Sequence, residues 1–517
     1  MKKPHVQQRT ERRISAALRL VMVAVLLVAQ IALVFLLSDV LKQRMALAYS
    51  ALELLAAVVA VTIWSRPGAT SYKIGWVMLV LFVPVVGVIL YLLWNGARQS
   101  KRLGLKKLPR PEEPLAQQEQ AKSELERLRQ AMPCWYPAAA GLDRKGFSVY
   151  RNTAVKYLPT GEAYLNTMLD DLEHAERFIF LEYFIVAEGE IWDQLSDILC
   201  RKSGQGVEVK LIFDDFGSML RLPNEKVEAL TRAGVEVKIF NPVHHYVNRL
   251  YFNYRDHRKI TCFDGDTAYT GGANIADEYA NIVERFGYWK DCGVRLEGEG
   301  AWGLTREFIH MWERMDGEMH SEHDYYRPVH HAAAQGFCQT LVDGPDDNPN
   351  APAEDLFLQF ITRARQSVYV TTPYLAIDEP MMKALCLAGD SGVDVRLMMP
   401  GVPDHKFAYL VAESYFEELM EHRVKIYTFT PGLIHGKTAM ADREVAFVGS
   451  VNMDYRSFQL HFECGEVLYG VPAIESLLED MDRIVDSSEL MTPQRMAERP
   501  VWRRLLGTVL RLFAMWM

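Results

Sequence analysis

Hydrophobic and polar positions divide the chain into an apolar head and a patterned body. Three apolar runs open it, at residues 18–37, 45–64 and 74–94. The first and third are almost free of charge, and about 20 such residues suffice for a helix to cross a hydrocarbon core about 30 Å thick. The middle run carries Ser50 and Glu53, which weakens its case for insertion. No small-residue cleavage site ends the first run and further apolar runs follow it, so it does not read as a signal peptide. Residues 1–97 are therefore expected to form a transmembrane region of two or three helices. Residues 98–140 (KKLPRPEEP, then QQEQAKSELERLRQ) have a composition that predicts a charged linker, helical in its second part.

The body repeats itself. AERFIFLEYFIV (175–186), GVEVKLIFDD (206–215) and GVEVKIFNP (234–242) recur as ARQSVYVTTPYLA (364–376), GVDVRLMMPG (392–401) and RVKIYTFTP (423–431). Helical stretches at 191–201 and 379–388 separate the first two runs of each set. Strands alternating with helices predict α/β units with a mostly parallel sheet. Two copies, at 141–330 and 331–490, predict a pseudo-twofold pair with a cleft between them.

Charge sharpens this picture. Residues 1–110 hold sixteen Lys and Arg against three acids, a net of +13, so the remainder carries −22 to give −9 overall. An acidic body on a basic, apolar head suits an anionic membrane surface and argues against a nucleic-acid partner. Arg9, Arg12 and Arg13 place the N-terminus inside, and Arg98, Lys101, Arg102, Lys106 and Lys107 place the exit of the third run inside as well. Both hold only with an even number of crossings. The seven cysteines are dispersed, with no C-x-x-C pair, and read as ordinary thiols rather than a disulfide framework or a zinc site.

The candidate chemistry occupies equivalent places in the two copies. His257, Lys259, Asp264, Gly271 and Asn274 match His435, Lys437, Asp442, Gly449 and Asn452 in the pattern H-x-K-x4-D-x6-G-x-x-N. At average residue usage such a pattern arises on the order of once in several million start positions, so two copies are not chance. Metal-free phosphodiester transfer needs a nucleophile, a proton donor for the leaving alkoxide, and positive charge on the non-bridging oxygens. Histidine serves the first two roles near neutral pH, and lysine and asparagine serve the third. Asp264 and Asp442 lie beside turns, where bonding to backbone is as good a reading as chemistry. Ser450 has Gly272 as its counterpart, so the halves are not chemically equal; its hydroxyl either binds substrate or shapes its loop. His244-His245 and His330-His331 lack a ligand pattern and carry no metal assignment.

These paired motifs resemble the HKD signature of the phospholipase D superfamily over residues 149–489. The resemblance implies that one histidine becomes covalently phosphorylated while the other acts as acid and base, here His257 and His435 in that order or, given the pseudo-symmetry, the reverse, with no metal or cofactor. It implies catalytic roles for Lys259, Lys437, Asp264 and Asp442, and phosphate or substrate contacts from Asn274, Asn452 and Ser450. It also implies an acid about 30 positions downstream of each histidine to orient it, Asp291 and Glu463. The run WVMLVLFVPVVGVILYLLWNG (76–96), LEYFIV (181–186) and the basic RPVWRRLLGTVLRLF near the C-terminus are similar to bacterial cardiolipin synthases. That family joins two phosphatidylglycerol molecules and releases glycerol, which implies a multi-pass protein of the bacterial inner membrane with its catalytic part facing the cytoplasm. Residues 491–517 predict a basic amphipathic helix, with Trp502, Leu505, Leu506, Val509, Phe513 and Trp516 on one stripe; it either lies at the headgroups or packs on the body. Phospholipid hydrolysis and transfer to a different lipid acceptor are the nearest alternatives. A nuclease and a non-catalytic scaffold are further ones.

Overall fold

The computed structural model describes residues 46–66, 70–94, 103–111, 114–242, 254–320, 323–345 and 351–514. The first apolar run, His244-His245 and Trp516 lie outside the described residues. The chain divides into two compact units, the N-terminal helices and a larger unit beginning at Gly104.

The N-terminal unit contains α1 (Ala46–Trp64), α2 (Thr70–Phe82) and α3 (Pro84–Trp94). The third apolar run is thus not the continuous span expected from its length. Pro84 cannot continue the hydrogen bonding of α2, and the chain doubles back there. The Trp76 and Tyr91 rings meet edge to face with centroids 5.5 Å apart. Gly87 lies so close to α2 that an added Cβ would stand 2.4 Å from the Leu79 carbonyl oxygen. Among the described residues, no helix is long and apolar enough to cross a membrane.

Both repeated halves lie in the larger unit, each built on one mixed sheet. In the first sheet the order is Thr153–Leu158, Gly293–Gly298, Thr267–Gly271, Lys259–Phe263, Phe178–Tyr183, Glu208–Asp214, Glu236–Phe240. The three runs recognised in the sequence are its parallel strands, and the other four are antiparallel. The second sheet repeats this arrangement, with Ser367–Thr371, Asp394–Pro400 and Lys425–Phe429 as the parallel set and one extra edge strand, Ser488–Leu490. The expectation of a mostly parallel sheet fails for a local reason. Asp264 (φ 53°) and Gly265 (φ 77°), like Asp442 (φ 53°) and Arg443 (φ 59°), turn the chain left-handed straight after a short strand. So short a turn joins only antiparallel neighbours.

The halves interlock. Tyr288–Lys290 of the first pairs in parallel with Gly432–Ile434 of the second, and Asp256 bridges to Phe462. Strand Phe178–Tyr183 is buried at every position, which explains why it reads as a continuous apolar run rather than an alternating one. Glu182 within it faces the Arg258 guanidinium at 3.5 Å, a buried pair that ties this strand to the residue between His257 and Lys259.

One further expectation needs correction. The charged segment after the head is not a free linker. It forms the expected helix, Leu115–Ala131, but it also lies along the body through Arg110 to Glu307 (2.9 Å) and Gln120 to Glu299 (3.1 Å), with Trp135 fully buried beyond it. The C-terminal helix Val501–Arg511 turns its basic face inward. Arg503 binds Glu413 (2.8 Å), Arg504 binds Glu417 (2.6 Å) and Arg511 reaches Glu418, while Trp502, Leu505, Val509 and Phe513 are exposed. His330 and His331 are exposed, and all seven cysteines are free thiols.

Candidate active site

Each motif histidine sits just before a strand of its own sheet but is held by the opposite half. The His257 backbone N–H donates to the Phe462 carbonyl (2.8 Å), and its ring Nδ1 donates to Glu463 (3.0 Å to each oxygen). The His435 backbone N–H donates to the Lys290 carbonyl (2.8 Å), and its ring Nδ1 donates to Asp291 (2.8 Å). The geometry repeats down to which residue supplies which atom. Asp291 and Glu463 therefore do hold the histidines, but the spacing rule pointed each one at the wrong partner. The carboxylate downstream of one histidine orients the other. With Nδ1 donating, the lone pair lies on Nε2 of each ring.

The two carboxylates differ in their company. Glu463 also accepts from the Ser450 hydroxyl and from the Ser457 hydroxyl (2.8 Å). Ser450 in turn accepts from the Cys464 N–H (3.0 Å) and is fully buried, so it props the carboxylate rather than facing a substrate. Asp291 accepts from the Cys292 N–H (2.9 Å) and has no such hydroxyl, because a side chain at Gly272 would place its Cβ 2.2 Å from Asp291 Oδ1. Gly272 is required by the neighbouring carboxylate.

Electrostatics follow this asymmetry. Burial, then the cations Lys259 and Lys437 and the second histidine, push the His257 imidazole well below its ordinary pKa. His435 is also lowered by burial and Lys437, but Asp291 opposes the shift. Burial works against a charge on Asp291, yet His435 and Lys437 outweigh it and hold that carboxyl below the usual range. Both lysines are fully enclosed; burial is the main reason that Lys259 falls to about 7 and Lys437 to about 8. Lys437 Nζ stands 2.8 Å and 3.0 Å from the ring nitrogens of His435. The buried carboxylates Asp291 and Glu463 oppose the fall of both lysines, and a further anion entering beside the two ammonium groups, such as a phosphodiester, would hold their charge.

These lysine values give a pH prediction. A lysine lowered to about 7 or 8 carries its charge below that pH and loses it above, so kcat/KM for lipid should fall as pH rises from 7 past 8. Lys437→Arg, charged throughout, should flatten the upper part of that decline while lowering the maximal rate. A pH profile of kcat/KM for both proteins checks this.

Several expected site residues are placed differently by the structure. Asp264 and Asp442 lie at the far ends of the strands that follow the histidines, outside the cluster. Asp264 accepts from the N–H groups of Glu176, Arg177 and Phe178 (2.8, 2.7 and 3.1 Å). Asp442 accepts from Arg365, Gln366 and Ser367 (2.8, 2.7 and 3.0 Å). Each closes a hairpin onto the opening strand of its repeat, which is a structural task. Asn274 is partly committed as well, accepting from the Ile185 N–H (3.0 Å) and donating to the Tyr279 hydroxyl (2.7 Å). The side-chain oxygen of Asn452 is buried without a partner among the described residues.

The residues that wall the histidines escaped the sequence reading. Phe184 packs edge-on to His257 (5.1 Å), and His461 tilts against the same ring (5.6 Å). Tyr279 and Trp289 pack on His435, both with centroids 5.3 Å away. His461 and Trp289 each stand two residues before the orienting carboxylate, so aligning the repeats one step further would have exposed them. Burial drives His461 to about 4, leaving it neutral at physiological pH. Among the described residues, His257, His461 and Glu463 bring potential metal-ligand atoms within 4.8 Å of one another. A cation there would displace the bond between His257 and Glu463, so the donors fit a carboxylate-held imidazole better than a metal centre.

Comparison with known proteins decides the family. A profile described as "Cardiolipin synthase, PLD-like domain" matches residues 168–285 and 357–485, one segment in each half. A cardiolipin synthase of Geobacillus kaustophilus is 35% identical over 449 residues, covering 86% of this chain and 88% of that protein. The chain belongs to the cardiolipin synthase family. A cardiolipin synthase of Oceanobacillus iheyensis is 31% identical over 472 residues, covering 89% of this chain and 96% of that protein. A profile described as "Phospholipase_D-nuclease N-terminal" matches residues 54–95. The crystal structure of a phosphatidylserine synthase of Haemophilus influenzae shares the fold, with a TM-score of 0.56 at 14% identity over 72% of this chain and 99% of that one.

Proposed function

We propose that this chain is a phosphatidyltransferase that joins two phosphatidylglycerol molecules into cardiolipin and releases glycerol. The observation that carries the reading is the crossed pair of imidazole–carboxylate dyads, converging with Lys259 and Lys437 in one buried cluster. His257 Nε2 attacks phosphorus and forms a phosphatidyl-histidine. The glycerol alkoxide leaves with a proton from His435. A glycerol hydroxyl of the second lipid gives its proton to His435 and attacks the same phosphorus, restoring His257.

Two features favour His257 as nucleophile. Its strongly lowered basicity keeps the Nε2 lone pair free, while Asp291 keeps His435 the more readily protonated ring. Lys259 and Lys437 neutralise the non-bridging oxygens, and the buried Asn452 side chain adds a neutral donor.

Capture by a lipid rather than by water calls for a site at a bilayer. The outward apolar face of the C-terminal helix, with Trp502, Leu505 and Val509 all more than half exposed, supports contact with the headgroup region. The apolar N-terminal unit and the basic flanks support attachment to a bacterial inner membrane with the catalytic unit on the cytoplasmic side.

Purified full-length protein in phosphatidylglycerol vesicles should yield a double-phosphatidyl lipid and one glycerol per turnover, quantified by mass spectrometry and an enzymatic glycerol assay. Phosphatidic acid as the main product would instead establish hydrolysis. With mixed vesicles, a product carrying another headgroup would identify a different acceptor.

A further inference from the structure

We infer that α2 and α3 form a hairpin that dips into one leaflet of the bilayer and returns to the face it entered from. The partner surface is the acyl region beneath an anionic headgroup layer. Residue count suggests a crossing for this run, but the geometry does not. At 1.5 Å per residue the 13 residues of α2 reach about 20 Å and the 11 of α3 about 16 Å, both short of a core about 30 Å thick. Trp76, midway along α2, meets Tyr91, three residues before the end of α3, at 5.5 Å, so α3 runs back beside α2 toward the end at which the chain entered. The Arg66 guanidinium sits 5.7 Å from the same Tyr91 ring, which puts a cation at that shared end.

The opposite end suits hydrocarbon. Leu81 and Phe82, beside the turn, are 50% and 79% exposed, and the flanks show Met78, Ile89 and Leu92. A turn in lipid must satisfy its own backbone. Here the Val83 N–H donates to the Leu79 carbonyl (3.0 Å), the Gly87 N–H donates to the Val83 carbonyl (2.7 Å), and Pro84 has no N–H to satisfy. Gly87 permits the close approach that shuts the hairpin.

Charge supplies an independent argument. Arg66 and Lys73 precede or open the hairpin, and Arg98, Lys101 and Arg102 follow it. A crossing would put these two basic groups on opposite faces, against the usual distribution, whereas a hairpin puts both on the cytoplasmic face. It also removes the conflict between the basic N-terminus and the basic exit. With no crossing from the third run, the first two runs need only cross together or not at all.

Cysteine mapping of the full-length protein in bacterial membranes tests this, in a background with the half-buried Cys134 and Cys200 changed to serine. A membrane-impermeant maleimide should modify Thr70→Cys and Ser100→Cys from the cytoplasmic face only, and Phe82→Cys from neither face. Ser71→Cys and Gly96→Cys repeat the outer pair at independent positions. Modification of the two outer positions from opposite faces would show a crossing and overturn the hairpin. Ready modification of Phe82→Cys from either face would overturn its immersion. No lipid product is measured, so the outcome is independent of the transfer reaction.

Discussion

Replacing His257 by alanine is expected to lower phosphatidyl transfer by about 10⁴-fold or more, and replacing His435 by about 10²- to 10⁴-fold. The asymmetry follows from the roles. Without His257 there is no covalent intermediate, and a lipid hydroxyl must displace glycerol directly in a site that holds no base on the attacking side. Without His435 the nucleophile remains, still oriented by Glu463 at 3.0 Å, while the proton for the leaving alkoxide and the base for the second lipid's hydroxyl are lost. A first attack should therefore persist slowly in His435→Ala, and a leaving group that needs no proton should recover much of its rate. Steady-state assays with phosphatidylglycerol, and the burst of nitrophenol released from its phosphatidyl ester, check both statements. Full recovery of His257→Ala with the activated ester would contradict the assignment.

Glu463→Gln should cost about 10²- to 10³-fold, roughly 3–4 kcal/mol, although it lies in the opposite half from the histidine it serves. The carboxylate fixes the tautomer of His257 and stabilises the ring as charge develops on it. Glutamine keeps the size but can present its amide N–H₂ to Nδ1, which turns the ring's proton onto the nitrogen that must attack. A double-mutant cycle checks the crossed wiring. In a His257→Ala background Glu463→Gln should cost little more, because its client is already gone. In a His435→Ala background it should still impose most of its penalty. Own-half pairing would reverse those two outcomes. Asp291→Asn should show the mirror pattern.

Much of this was legible in the sequence because duplication makes a pattern testable against itself. The two H-x-K motifs, the parallel runs and the matching helices needed only alignment of the halves. What sequence could not supply is where one half touches the other. Asp291 and Glu463 stand in the right register but serve the opposite histidine, because Tyr288–Lys290 and Gly432–Ile434 zip across the interface. For Asp264 and Asp442 the turn position left backbone bonding and chemistry equally open while the resemblance implied chemistry; their left-handed backbone and three amide donors each show them to be hairpin fasteners. Ser450, read as either a substrate contact or a loop-shaping residue, bonds Glu463. The third apolar run satisfied a length rule, and a single proline broke it. In each case the pattern was local and the deciding contact was not.

The most direct measurement concerns which atom becomes attached to lipid. His435→Ala protein is mixed with phosphatidylglycerol vesicles, quenched in a neutral denaturant and digested, and its peptides are analysed by mass spectrometry. A phosphatidyl mass on the peptide containing His257, absent when His257→Ala is treated identically, is the expected result. A phosphatidyl mass on the His435 peptide of the His257→Ala protein would contradict His257 as the nucleophile, and transfer in wild type with no histidine adduct under any quench would contradict two imidazoles acting in turn on one lipid phosphorus.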